Sequence, residues 1–533
     1  MRARSLSVLL VGAICAAALA LPGGASAAFA PLGSFAGFGE GGGQFEDTGG
    51  LAVGPDGRIY QADYGANRVN VYSAQGTFLF MFGAGVYELG GNVCTADVQC
   101  RAGFASASAG GLDSPEDVAI DQLGHILVAD TDNNRIGIYE PDGKFLAAFG
   151  KDVNTTDGSD ICTVSSGCVK GAATAENGAL DAPRGVATED LFIYVADTGN
   201  NRISAYNVGG GFLGAFGKNV NTAGGNVCSG VGVCQEGAGG PAAGEIGEPR
   251  DLVLMPGLTG MAITSAANHR IDVFGEEADF VRALGAGVNP NGSGVCTTAS
   301  GCQGGSNGEA AGALASPVHL AFDNAGGVYV GDTELDRVSQ FNLETGFVRA
   351  FGAGVVDGAA AFQVCTPATG CRAGLGLTIP GATPNPYGVA VAADGTVLVA
   401  EEGSEMGNAF ARIERFGFVP DTPAPPAPPA PPAPSNQFKF GKLKLNKKTG
   451  TATLTIDLPG AGSAVLKGTG IKKVKKAAKK AGKLSLPVKL KGKAKEKLLE
   501  KGKSAVSAKL TFTPSGGKAL TKQKRLTLKK TLP

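Results

Sequence analysis

The side chains best suited to chemistry stand at the entrances to short apolar runs: Glu116 and Asp117 before VAI, Arg184 before GVA, Arg250 and Asp251 before LVL, His319 before LAF, and Tyr387 before GVA. Carboxylates, guanidinium groups, an imidazole and a phenol gathered at one concave mouth would hold a charged ligand. Charged residues at a wet opening can also do no more than keep it solvated. These seven are the candidate ligand-binding residues, and no catalytic residue is assigned.

Cysteine supplies the second pattern. Cys94 and Cys100, Cys162 and Cys168, Cys228 and Cys234, Cys296 and Cys302, and Cys365 and Cys371 all have the form C-x5-C. An even set at local spacing in a secreted chain reads as five short-range disulfides. Zinc, the alternative, normally wants two closely spaced pairs converging on one ion. No metal and no cofactor are expected.

The elements that must position these residues form a repeat. Leu180 to Gly217 contains four alternating runs, RGVAT, FIYVAD, ISAYN and FLGAF, separated by the turn signals DTGNNR and NVGGG. That is the pattern of a four-stranded antiparallel sheet, which must stack on copies of itself to bury its faces. The residue ending the second run falls at Asp63, Asp130, Asp197, Ser265, Asp332 and Glu401, at spacings of 67, 67, 68, 67 and 69. The arginine after the turn recurs at Arg68, Arg135, Arg202, Arg270, Arg337 and Arg412. Asp can bond turn amides and Arg can bridge to a neighbouring copy, so both read as structural.

Over roughly residues 29 to 417 the chain resembles the NHL repeat family, marked by segments like VADTGNNRI followed by a strand ending in Phe-Gly. The resemblance implies an all-β, six-bladed NHL β-propeller. Its sixth copy stops without a fourth strand, while PLGSFAGFG at residues 31–39 is a last strand with no blade in front of it. The N-terminal strand is expected to close the ring and hide both open sheet edges. In a blade the cysteine insertions share a face with the DTGNNR turns and with the first-strand entrances, which ring the central channel.

Some NHL-like propellers, such as the peptidylglycine amidating lyases, hold a metal with several histidines at first-strand entrances. This chain has His125, His269 and His319, of which only His319 is near such an entrance, so a three-histidine site is not supported. Nothing reproduces the catalytic pair of streptogramin-lyase-like propellers either. Asp152, Asn154, Asp157 and Asp160 miss the EF-hand spacing and read as a solvated loop, and Asn154 with Thr156 forms an N-x-T sequon.

Residues 1–27 read as a secretory signal: Arg2 and Arg4, an apolar run, then Ala25-Ser26-Ala27. Ile14 ahead of Cys15 argues against a lipobox. Residues 28–420 are the propeller, 421–435 a proline-rich extended spacer, and 436–533 a second domain. The net charge of zero hides a division. Residues 436–533 carry 27 Lys and Arg against three acids, a balance of +24, so residues 1–435 carry 20 basic and 44 acidic residues, a balance of −24. Alternating pairs such as Phe438 and Phe440, Leu454 and Ile456, Leu510 and Phe512, and Leu526 and Leu528 make the basic part a small C-terminal Ig-like β-sandwich.

These features point to a secreted or cell-surface binding and scaffold protein, monomeric and without a transmembrane segment after signal cleavage. A protein or carbohydrate ligand would meet the loop face. The basic domain would attach to an anionic envelope polymer or dock on the acidic propeller. Nucleic acid is disfavoured by the compartment and by the few stacking aromatics. A propeller lyase or hydrolase at the channel mouth and an extracellular sensor are the alternatives.

Overall fold

The computed structural model describes residues 28–532 apart from 96–98, 230–232, 256–258, 324, 406–407, 420–434 and 516. The signal expected over 1–27 and nearly all of the spacer expected over 421–435 lie outside the described residues. The chain divides into two compact units, 1–420 and 421–533.

In the first unit the repeat folds as its alternation predicts. Pro183–Glu189, Phe192–Asp197, Arg202–Asn207 and Phe212–Phe216 pair antiparallel in chain order, with Val186 opposite Val195, Val195 opposite Ser204, and Ser204 opposite Ala215. The turn Thr198–Asn200 ends on Asn201 in the left-handed conformation at φ 49°. Asn67, Asn134, His269 and Asp336 take the same conformation in four other copies. Asn and Asp enter it most readily among residues with a side chain, which is why the motif reads D-T-x-N-N-R.

Blades one to five carry a fifth strand that the repeat did not predict. In blade 3 Val227–Ser229 pairs outside Phe212–Phe216, with Cys228 opposite Ala215. Cys94, Cys162, Cys296 and Cys365 take the same place opposite Met81, Ala148, Ala283 and Ala350. Strands of two to four residues are too short to register as alternation. Blade 6 instead receives Ala28–Phe35, which pairs with Asn408–Val419, Phe29 opposite Phe418 and Ser34 opposite Glu414.

The ring is closed by apolar packing. Six buried clusters each join residues of two adjacent blades. The one between blades 1 and 2 contains Val69, Phe82, Val118 and Tyr139, and the one between blades 6 and 1 contains Ile413, Leu398, Leu51 and Tyr72. Adjacent innermost strands touch all the way round, including Leu51–Val53 of blade 1 against Pro386–Val391 of blade 6.

Each repeated arginine is a latch between segments distant in sequence. Arg135 is buried; its Nε donates to Asp130 Oδ2 at 2.7 Å, and its two terminal nitrogens reach the carbonyls of Ala107 and Gly111 in the connection from blade 1. Nη1 also reaches Val169 O, in the return of its own blade's cysteine insertion. Arg202 repeats this with Asp197, Ala175, Ala179 and Gln235. Where Ser265 replaces the aspartate, Asp272 takes over at 2.9 Å from Arg270 Nε. Replacing Arg135 by Met strands a buried carboxylate and is expected to cost about 3–5 kcal/mol, read as a lowered urea midpoint. Arg135→Lys should recover only part of it, since an ammonium cannot fork to several carbonyls.

The second unit is a two-sheet sandwich. One sheet holds Lys439–Asn446, Thr451–Leu458 and Gly482–Val488, and the other holds Ile471–Ala478, Gly462–Gly468, Lys503–Pro514 and Leu520–Lys529, in those orders. A single core that includes Phe438, Leu454, Ile456, Leu466, Leu510 and Phe512 lies between them. The short helix Lys493–Lys501 buries only Leu498.

Candidate functional site

The innermost strands deliver the seven candidate residues to one place. Just after the strand-opening prolines, the pairing register slips in five blades, between Pro115 and Asp117, Pro183 and Gly185, Pro249 and Leu252, Pro317 and Leu320, and Pro386 and Gly388. A bulge of this kind re-aims side chains at the end of a strand. Two tiers result.

The upper tier joins Glu116, Arg184 and Tyr387. Arg184 Nη1 lies 2.7 Å from Glu116 Oε1, and the Tyr387 hydroxyl donates to Glu116 Oε2 at 2.8 Å. Glu116 belongs to blade 2 and Tyr387 to blade 6, so this bond passes over blade 1, through the channel mouth. Burial, reinforced by the Glu116 carboxylate, pushes the Tyr387 phenol well above its usual value. Burial opposes the Arg184 charge, but Glu116 and Tyr387 outweigh it and raise that group too. Arg250 is half-buried, its Nε has no partner, and its charge acts on Tyr387.

The lower tier joins Asp117, Asp251 and His319, from blades 2, 4 and 5, all buried. His319 Nδ1 stands 3.2 Å from Asp251 Oδ2 and 3.7 Å from Asp117 Oδ1. Backbone amides of the following blades hold the carboxylates: Val186 N donates to Asp117 Oδ2 at 2.9 Å and Leu320 N to Asp251 Oδ2 at 2.7 Å. Burial, and next the Asp251 charge, push the Asp117 carboxyl up, with His319 opposing. Burial alone would lower His319; Asp251 and then Asp117 reverse this and raise it. A cavity of about 350 Å³ is bounded by Asp117 and Asp251, by Thr188 and Glu189, and by inner-strand residues such as Leu51, Val118, Val186 and Leu320. His125, on Asp121, and His269, on the Ala315 carbonyl, bond away from this cluster.

Two participants escaped the sequence reading. The Tyr64 ring lies 6.4 Å from Tyr387, and burial with nearby Glu402, Asp47 and Glu116 pushes its phenol up to about 12. Glu402 accepts the Thr48 amide at 2.6 Å, and burial raises its carboxyl to about 7. Both occupy the position after the repeated acid. In blades 2 and 3 that position is Thr131 and Thr198, whose hydroxyls donate to the Pro183 and Pro249 carbonyls. Departure from threonine was the signal that could have found them.

The five cysteine pairs are disulfides, each with sulfurs about 2 Å apart. Each insertion is tied to its own blade's turn: Gly103 N donates to Ala66 O, Gly171 N to Asn133 O, and Gly237 N to Asn200 O, with Gly305 and Gly374 bonding Asn268 and Leu335 likewise. In the 152–160 loop, Asp157 accepts the Ser159 amide and Asp160 the Asp152 amide, so these acids serve their own turn.

The sandwich presents a different surface. Directly paired residues share a face, and on the outer face of the four-stranded sheet Lys467 stands opposite Lys509, Lys503 opposite Lys529, Ser507 opposite Arg525 and Val465 opposite Lys475. Like charges directly opposite are unfavourable on their own. The four strands contain no acid; the acids of residues 436–533 are Asp457, paired between Lys439 and Lys483 on the other sheet, and Glu496 and Glu500 on the helix.

Six sheets closed in a ring about a channel define the first unit as a six-bladed β-propeller. Residues 112–139 match the NHL repeat family. No curated protein matches the chain. Among solved structures it is similar to a streptogramin B lyase, at 12% identity over 73% of this chain and 97% of that one with a TM-score of 0.38. It is similar also to a gluconolactonase of Xanthomonas campestris, at 9% identity over 70% and 87% with a TM-score of 0.35, and to a chain of a nidogen/laminin complex, at 16% over 56% and 76% with a TM-score of 0.30.

Thiol titration of the unreduced chain is expected to find no free thiol among the ten paired cysteines. Replacing Cys162 and Cys168 together by Ser should cost about 2 kcal/mol, the loop-closure entropy of so small a ring, measured as a shift of the denaturant midpoint.

Proposed function

We propose that this chain is a secreted or cell-surface binding protein whose sandwich attaches to an anionic envelope polymer while the propeller offers its disulfide-bearing face to a protein or carbohydrate ligand. The observation that carries the reading is the acid-free outer face of the four-stranded sheet. Lysines held directly opposite one another are relieved when a polyanion lies across them. The five disulfides fit an oxidising compartment, which supports secretion directed by residues 1–27. The strand order, with the first, second and fifth strands in one sheet, supports the Ig-like reading of the sandwich. In this reading residues 421–435 are a proline-rich spacer between the two units.

The test is retention of the full chain on purified cell envelope and on immobilised polyphosphate across a salt gradient. The wild type should be held at low salt and released as salt rises. Lys467→Glu with Lys509→Glu should elute at distinctly lower salt than Lys439→Glu with Lys483→Glu, which changes the other sheet by the same charge. Equal elution of the two variants, or retention that salt does not weaken, contradicts attachment through this face.

A further inference from the structure

We propose that Asp117, Asp251 and His319 form a binding site for one divalent transition-metal ion of the zinc type, set in the propeller's channel and independent of the surface attachment proposed above. The three side chains come from the innermost strands of three different blades, yet their candidate ligand atoms all lie within 4.8 Å of one another. Zinc bound tetrahedrally by imidazole nitrogen and carboxylate oxygen at 2.0–2.2 Å requires ligand atoms roughly 3.4 Å apart. The His319 Nδ1 distances, 3.2 Å to Asp251 and 3.7 Å to Asp117, fall on either side of that figure.

Charge leads to the same ion. Two carboxylates with side chains only 6% exposed face a single imidazole. A proton on His319 would supply one positive charge against two negative ones in a desolvated place. A divalent cation supplies two and leaves the imidazole neutral, the form in which it ligates. The carboxylate oxygens are held in place by backbone: Asp117 Oδ2 takes the Val186 amide while Oδ1 faces His319 Nδ1 at 3.7 Å, and Asp251 takes the Leu252 amide on Oδ1 and the Leu320 amide on Oδ2, each oxygen keeping a second lone pair for an ion. The amides of Val186 and Leu320 fix the orientation of the two carboxylates. Imidazole with carboxylate suits zinc, manganese or iron(II), whereas calcium takes oxygen ligands alone.

The backbone is cut to admit these side chains. At the corresponding positions of blades 1 and 3 stand Gly50 and Gly185. A Cβ at Gly50 would collide with Asp117 Oδ1 and lie 2.7 Å from His319 Cε1; one at Gly185 would lie 2.7 Å from Asp251 Cα and 3.0 Å from its Oδ1. Glycine at these two places leaves the space that the ligands of blades 2 and 4 fill. Three protein ligands leave a fourth position for water or for a small ligand entering from the Tyr387 side, whose ring centre is 5.2 Å from that of His319.

The experiment is zinc titration of the purified, untagged full chain after chelator treatment, by calorimetry and by mass spectrometry under native conditions, repeated with cobalt(II) to read ligand geometry in the visible spectrum. The expected result is one ion per chain, a rise in the thermal midpoint, and a cobalt spectrum with one imidazole. His319→Ala and the near-isosteric Asp117→Asn should each weaken binding at least tenfold while circular dichroism reports a folded propeller. His125→Ala, outside the site, should bind as the wild type does. A folded wild type that takes up no ion, or binding unchanged in both site variants, overturns the proposal and leaves the cluster as a hydrogen-bonded tie between blades.

Discussion

The structure of the propeller depends on setting an arginine against a carboxylate in every blade, fully buried in blades one to five and 14% exposed in blade 6. A guanidinium loses several kcal/mol of hydration on burial, so the site must return a carboxylate and a set of carbonyls in fixed directions. Arg135 and Arg202 receive both, the carboxylate from their own blade and the carbonyls from the connection that enters it. Blade, connection and cysteine insertion therefore meet at one side chain. Blade 4 shows what is being preserved: the acid has moved from the position of Ser265 to Asp272, but the charge still faces Arg270. Blade 5 is looser, with Arg337 Nε 4.0 Å from Asp332, while that carboxylate accepts the Ala315 and Ser316 amides.

With the ring fixed from its turns, the inner strands are free to vary. Their entrances differ from blade to blade, as glycine, glutamate, aspartate, arginine, histidine or tyrosine, while the apolar positions behind them stay Val, Leu and Ala. A rigid scaffold of near-identical blades thus carries a site without six-fold symmetry, the usual division between framework and function. The two charge reservoirs follow the same division. In the propeller acid serves the latches and the channel, and in the sandwich lysine stands in opposed pairs on the acid-free outer face of the four-stranded sheet.

Much of this was legible in the chain itself. Blade number, the closing N-terminal strand and the cysteine pairing follow from repeat spacing, because each is a local pattern copied several times. The seven entrance residues could be named from the same alignment of copies. Their partition into Glu116–Arg184–Tyr387 and Asp117–Asp251–His319 could not, since it depends on which residue a bulge turns inward and on contacts across the channel between blades far apart in sequence. The search for three histidines passed over a cluster built from one histidine and two aspartates. The hairpin of Gly462–Gly468 with Ile471–Ala478 was missed because KKVKK hides its alternation under lysine on both sides of an edge strand.

Native-state hydrogen exchange of the full chain tests the ring most directly, by resolving the opening free energy of each blade's inner strand. Apolar clusters at all six blade interfaces, with latches in every blade, predict that the slowest amides of Leu51–Val53, Pro183–Glu189 and Pro386–Val391 open together, at one free energy equal to that of global unfolding. A blade 6 that exchanges well below the others, together with Ala28–Phe35, would contradict a ring held by equivalent joints and reduce the N-terminal strand to a loose clasp.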